Sequence, residues 1–272
     1  MSDAASSPVR SRSDASHAAN ADVEAYYREI APYYDAELSD REDLDFWCRL
    51  AQEVPGRRVL ELGAGSGAVT AQLASSAQMV AGVDLSDELL QLGRRRLRRW
   101  PQAHLIRADM RHLPFCQPFD LIVAANDPLS HLTEDADRDT VLRCVARLLA
   151  PGGRFILDAL WLPPADALAV RAPGGRLQQH TSSLNGQPLR IVERWMRDPD
   201  HRRCCQASYE YRRPGRTPVV ASFQARDWTP DELSERLARA GLVVTDRWGS
   251  YQHDPWHPRT STQLIVAASR EP

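Results

Sequence analysis

Glu61-Leu62-Gly63-Ala64-Gly65-Ser66-Gly67 places a carboxylate two residues ahead of three glycines that alternate with single residues. These residue types at this spacing suit a backbone that passes close to a ligand, because glycine admits angles and approaches that a Cβ opposes. The apolar run Val59–Leu62 before the turn and the helical pattern after it make a strand, a tight turn and a helix start. The first N–H groups of such a helix have no partner within it and can meet a polar or anionic group. Further chemistry-bearing residues follow where other apolar runs stop. Asp84 closes Met79–Val83, about twenty residues after the glycines, where a carboxylate can accept hydrogen bonds from both hydroxyls of a ribose. Ser86 is the better N-cap for the helix that follows. Asp109 closes a third run, and Asn126, Asp127 and His131 follow a fourth. A histidine with an ordinary pKa near 6.5 is suited to general-base work, so His131 is the candidate base. Four of the seven tyrosines, Tyr26, Tyr27, Tyr33 and Tyr34, cluster ahead of the glycine turn.

Two ligand classes use such a turn. A dinucleotide site has the spacing G-x-G-x-x-G, whereas here the third glycine comes one residue early. With Glu61 in front, the pattern resembles motif I of the class I S-adenosylmethionine (SAM)-dependent methyltransferases. The resemblance extends to Val83-Asp84-Leu85, to Ala108-Asp109-Met110 with Leu113-Pro114-Phe115, to the loop after Ala125, and to Leu149-Ala150-Pro151-Gly152-Gly153. It implies that Glu61, Gly63, Ala64 and Gly65 hold the amino-acid end of SAM, that Asp84 and Leu85 meet the ribose, and that Asp109 and Met110 meet the adenine. Ala125 would flank the methyl. S-adenosylhomocysteine would be the product. Many relatives carry an aromatic residue or an arginine early in the loop that follows; here Asn126 and Asp127 stand there and are candidate acceptor ligands.

The elements that position these residues alternate. Strands are expected at 58–62, 78–83, 103–108, 119–125 and 153–159, and helices at 66–76, 86–99 and 133–149. Strands joined by crossover helices imply an α/β fold with a doubly wound, mostly parallel sheet, and such sheets bind ligands at the carboxyl ends of their strands. Strands 242–248 and 261–268 bring the expected total to seven. The helix between the insertion and these strands is capped by Thr229, with Pro230 in its first turn, and ends at Gly241. Residues 160–226 break the alternation. Pieces at 177–183, 188–197, 203–212 and 217–224, separated by turn signals such as Asn185-Gly186 and Pro214-Gly215, form an antiparallel β insertion. Within it Trp195 and Tyr209 are candidate substrate-binding residues. Residues 1–20 are expected to be a disordered tail and 21–272 the methyltransferase domain, with 21–56 a helical lid. A short helix over Asp22–Ile30 stops before Ala31-Pro32. From this lid Tyr26 and Tyr34 are candidates to fix the acceptor.

Composition narrows the function. The 272-residue chain carries a net charge of −2, which offers no basic surface for nucleic acid. All 34 basic residues are arginine, so no lysine is available for Schiff-base chemistry. Nothing approaches the roughly 20-residue apolar run of a membrane span, and five scattered cysteines without C-x-x-C suit a cytoplasmic protein. His253 and His257 are four apart, but Pro255 opposes a helix that would align them, so no metal is expected. These observations point to methyl transfer to a small-molecule acceptor without nucleic acid or membrane. An amine is favoured because the tyrosine-rich segment suits a cation; a hydroxyl acceptor is the alternative. An NAD-dependent oxidoreductase and a non-catalytic SAM-binding protein are the other classes. A homodimer is compatible with the inserted sheet.

Overall fold

The computed structural model of the protein describes residues 12–53, 58–201 and 203–270. The central sheet holds β1 (Arg58–Leu62), β2 (Met79–Asp84), β3 (Ala103–Arg107), β4 (Phe119–Ala124), β5 (Leu149–Ala159), β10 (Leu242–Trp248) and β11 (Leu264–Arg270), in the order β10-β11-β5-β4-β1-β2-β3. β1 pairs in parallel with both β2 and β4, so the strand order reverses there, and the crevice at the carboxyl ends of these strands is the natural ligand site. β11 runs antiparallel between β5 and β10. Both faces of the sheet are buried: Val59, Leu60 and Leu62 of β1 are inaccessible to solvent, under two separate apolar clusters. The helices α3 (Ala68–Ala74), α4 (Asp87–Arg96), α5 (Asp135–Leu148) and α7 (Pro230–Arg239) complete this unit. Ser86 and Thr229 cap α4 and α7 through their hydroxyls, which accept from Leu89 N and Glu232 N.

The inserted strands form a second sheet, β6 (Arg176–Leu184), β7 (Gln187–Arg197), β8 (Cys204–Arg212) and β9 (Val219–Arg226), antiparallel and in chain order. Asn185 and Gly186 both take positive φ, as the two-residue turn between β6 and β7 requires. A short helix, α6 (Pro164–Ala169), not anticipated from the sequence, precedes this sheet. Arg138 of α5 is fully buried. It donates to the carbonyls of Leu132, Arg226 and Asp227 and lies 3.8 Å over the Trp228 ring, which ties the end of β9 to the loop after β4.

The N-terminal segment departs from expectation. α1 (Arg12–Glu37) does not stop at Ile30 but runs through Pro32; residues 1–11 of the expected tail lie outside the described residues. A proline inside a helix costs about 3 kcal/mol, and tertiary contacts of the last turns offset it. Tyr33 stacks on Tyr211, with centroids 4.8 Å apart and planes within 15°. Asp35 accepts from Ser66 Oγ at 2.5 Å and pairs with Arg96, and Ser182 Oγ donates to Ala36 O. α1 is therefore wedged between the glycine turn and the second sheet. α2 (Leu44–Glu53) buries Phe46, Trp47, Leu50 and Ala51 against the central sheet. No helix among the described residues is long and apolar enough to cross a membrane.

Candidate active site

The cleft at the carboxyl ends of β1, β2 and β4 is built largely from backbone. Gly63 and Gly65 hold φ of +71° and +51°. A Cβ on Gly63 would stand 2.4 Å from Pro128 Cβ, so only glycine lets the turn lie against the loop after β4. Asp84 Oδ2 accepts from Gly65 N at 2.8 Å and Oδ1 from Ser86 N at 2.9 Å, which fixes the carboxylate at the mouth of the turn. Burial raises the Asp84 pKa against the opposing pull of these N–H groups. Glu61 is buried at the base of the cleft, accepts from Thr70 Oγ1, and is pushed up to about 8 by burial. Arg41, from the segment between α1 and α2, lines the same cleft while gripping Asp43. At the other end Asp109 is held by Arg111, which also reaches Asp137 at 2.7 Å. Ala64, Leu85, Met110 and Ala125 line the walls between.

Of the residues that the sequence assigned to the donor, all but Gly65, which lies under Tyr34, line this one cleft. Its donor set fits SAM: Glu61 and Arg41 offer opposite charges to an amino-acid zwitterion, Asp84 retains lone pairs for a ribose, and Asp109 stands across from them. Arg41 was missed because no motif surrounds it. It lies on a loop whose only sequence signal is charge.

Two faces of α1 do different work. Tyr26, Ile30 and Tyr33, at helical spacing, pack on the second sheet. Tyr27 and Tyr34, seven residues apart and so nearly eclipsed along the helix, face the cleft. Tyr34 covers Gly65, with Oη 2.7 Å from the position of an added Cβ. Tyr27 Oη lies 2.8 Å from His131 Nε2. Tyr26 and Tyr34, eight apart, both line the acceptor-side cavity; Tyr34 also borders the donor cleft, and Tyr26 contacts Phe223 and Tyr209. The seven-residue spacing was the available signal for Tyr27.

A second cavity opens between α1, the loop after β4 and the second sheet, and it meets the donor cleft at Tyr27, Tyr34, Asn126 and His131. Asn126 and Asp127 both take left-handed φ, 60° and 48°, and Pro128 then starts a 3₁₀ turn to His131. Aromatic rings wall the cavity, Trp195, Tyr209 and Phe223 among them. Three carboxyl groups enter it: Glu37, Asp127 and Glu193. Burial pushes Glu37 and Asp127 each up to about 7. Tyr211 Oη donates to Glu37, Ser130 Oγ to Asp127 at 3.1 Å, and Trp195 Nε1 to Glu193. Burial drives His131 down to about 4, and its Nδ1 is out of solvent without a hydrogen-bond partner. Glu37, Glu193 and Phe223 carried no motif; only the folded sheet brings them to the loop after β4. Among the described residues there is no group of three or more His, Cys, Asp or Glu placed to hold a metal ion. His253 instead packs on Phe46 and Trp248.

Comparison with known proteins agrees with this arrangement. Residues 59–153 match a family model described as a methyltransferase domain. The cypemycin N-terminal methyltransferase of a Streptomyces species is 29% identical over 84% of this chain and 90% of its own. The curated relatives that follow are matched over little more than half their length or less. The CcbJ methyltransferase of Streptomyces caelestis superposes with a TM-score of 0.72 at 21% identity, over 86% of this chain and 98% of its own. CalS10, a SAM-bound amino pentose methyltransferase of Micromonospora echinaspora, gives a TM-score of 0.64 at 23% identity, over 92% and 96%. The nicotinamide reading of the glycine turn finds no support among these matches.

Proposed function

Starting from a chain that is a class I SAM-dependent methyltransferase, we propose that it methylates the nitrogen of a small-molecule amine. One observation carries this reading: the cavity that meets the donor cleft is lined by three carboxyl groups and by aromatic faces, and by no arginine. Such a surface attracts a cation, both by charge and by the ring quadrupoles. It would repel an anionic acceptor. The similar cypemycin enzyme, which by its name acts at an N-terminus, and the amino pentose enzyme CalS10 support the same chemistry.

SAM, when bound, would supply an electrophilic methyl on a sulfonium for transfer to the amine nitrogen. The chain's own residues must then deliver the nitrogen unprotonated, in line, and away from water. Asp127 suits the proton transfer: a carboxyl held near 7 is half ionised at neutral pH, where a base is most useful. His131, held near 4, stays neutral and acts as a hydrogen-bonding wall that Tyr27 orients. The hydroxyls of Tyr26, Tyr27 and Tyr34 are all raised by burial, so they remain protonated. Tyr34 closes the glycine turn. Trp195 and Tyr209 hold the acceptor's apolar part. A cytoplasmic site of action, without nucleic acid, accords with five free thiols and the net charge of −2.

The test is turnover of matched acceptors, each an amine and its hydroxyl isostere on one apolar frame, followed by mass spectrometry. The reading expects the amine to gain about 14 mass units per methyl and the isostere to remain unchanged. Methylation of the hydroxyl alone would overturn it.

A further inference from the structure

A third concavity lies outside the site described above. It runs along the outer side of β9, between the middle turns of α1 and the loop that leads into α5. Five consecutive residues, Val220 to Gln224, line it. Side chains of a strand point alternately to opposite faces, and here Val220, Ser222 and Gln224 are exposed while Ala221 is buried. Consecutive residues border one groove where it wraps the edge of the strand, and Gln206 of β8, paired with Gln224, carries it onto the exposed face. β9 is the edge of its sheet, paired with β8 alone. Among the described residues, no backbone group of 220–224 bonds to anything beyond that ladder. The wall of the groove is therefore a row of backbone donors and acceptors, with Val220 63% exposed beside it.

Three carboxylates border the same groove: Asp22 and Glu29 on α1 and Glu134 before α5. No ion pair engages them among the described residues, and no arginine lines the groove. Its inner end is His131, which with Val23 also borders the donor cleft. Tyr26, Phe223 and His131, in ring contact through Phe223, border both this groove and the aromatic cavity. The groove thus leads from solvent to the place where a methyl would be transferred.

Resting on the amine reading above, we propose that the acceptor amine belongs to an extended oligopeptide that adds as a strand to β9, its amino terminus at His131 and its basic side chains against Asp22, Glu29 and Glu134. A free strand edge supplies main-chain bonds without regard to sequence, and flanking charges select among sequences. Five residues of strand extend about 13 to 17 Å, so a short peptide suffices.

The probes are a pentapeptide amide that alternates alanine and lysine with a free amino terminus, and alanine amide, which presents the same amine without the strand. Methyl transfer to each is followed with wild-type protein and with the double variant Glu29→Arg, Glu134→Arg; S-adenosylhomocysteine titration confirms that the variant is folded. The proposal expects kcat/KM for the pentapeptide to exceed that for alanine amide by at least about tenfold, since two backbone bonds at about 1 kcal/mol each supply that much. In the double variant, where the strand edge remains but the lysines are repelled, this ratio falls at least about threefold. Equal kcat/KM for the two probes in the wild type overturns the proposal, as does a ratio that survives charge reversal. If neither probe is methylated while S-adenosylhomocysteine binds, the amine reading fails, and this proposal with it.

Discussion

The donor cleft and the acceptor side recognise their ligands by different means. The cleft is made at the carboxyl ends of parallel strands, by glycines, backbone N–H groups and single acids that each follow a strand. Its lining comes from short, local stretches: Glu61 to Ala64, Asp84 with Leu85, and Asp109 with Met110. The acceptor cavity is made by side chains that project from α1, from the turn after β4 and from the second sheet, and it draws residues from Tyr26 to Phe223. The difference teaches that backbone recognition is written next to the element that carries it. Recognition by packed side chains exists only once distant elements meet.

The comparison breaks most readily at Asp84. Asp84→Ala removes the acceptor of two backbone hydrogen bonds and the proposed ribose ligand together. Charged hydrogen bonds contribute about 1.5–3 kcal/mol each, so S-adenosylhomocysteine affinity should fall by about 100-fold or more in a calorimetric titration. Retained affinity would mean that the cleft does not depend on the strand-end acid.

Next in size is Asp127→Asn, which removes the proposed base from the acceptor side. General-base contributions span about 10²–10⁴-fold, so kcat should drop about 100-fold. The wild-type rate should rise as pH increases through about 7, where Asp127 ionises, and the variant should lose that limb. A pH profile unchanged in the variant would assign the proton transfer elsewhere.

Glu61 sharpens the donor side. Its carboxyl lies near 8 in the free protein because burial disfavours the charge. A donor ammonium favours the ionised form, so binding releases a proton below pH 8 and affinity falls as pH decreases from there. The expected loss is up to about tenfold per pH unit. Titrations in buffers of different ionisation enthalpy would count the proton, and Glu61→Gln should abolish its release. Tyr27→Phe is the smallest change. It removes one neutral hydrogen bond to His131, worth about 1 kcal/mol, so kcat should fall only about fivefold with S-adenosylhomocysteine affinity kept. A drop as large as that of Asp127→Asn would move the chemical role to the tyrosine.

The same contrast explains how far the sequence could be read. The seven-stranded sheet, the antiparallel insertion and the residues that line the proposed donor cleft followed from apolar runs that end on glycine or an acid, because strand, turn and cleft wall are neighbours in the chain. Pro32 misled at α1: the local cost of a helix proline is visible in sequence, whereas the stacking of Tyr33 on Tyr211 that offsets it is not. Tyr27 was recognisable as part of a tyrosine cluster, yet its partnership with His131 depends on helix phase and on how α1 is wedged. Glu37 and Glu193 resemble surface acids until α1 packs on the second sheet and covers them in part. Their burial comes from contacts such as Tyr211 to Glu37 that span most of the chain.

The most direct test of the separation between donor binding and acceptor chemistry is the calorimetric affinity of the Asp127→Asn variant for S-adenosylhomocysteine, read beside its kcat with an amine acceptor. The structure predicts affinity within about twofold of wild type while turnover falls about 100-fold. A parallel loss of affinity would contradict it, because Asp127 would then belong to the donor site and the two regions would not be separate.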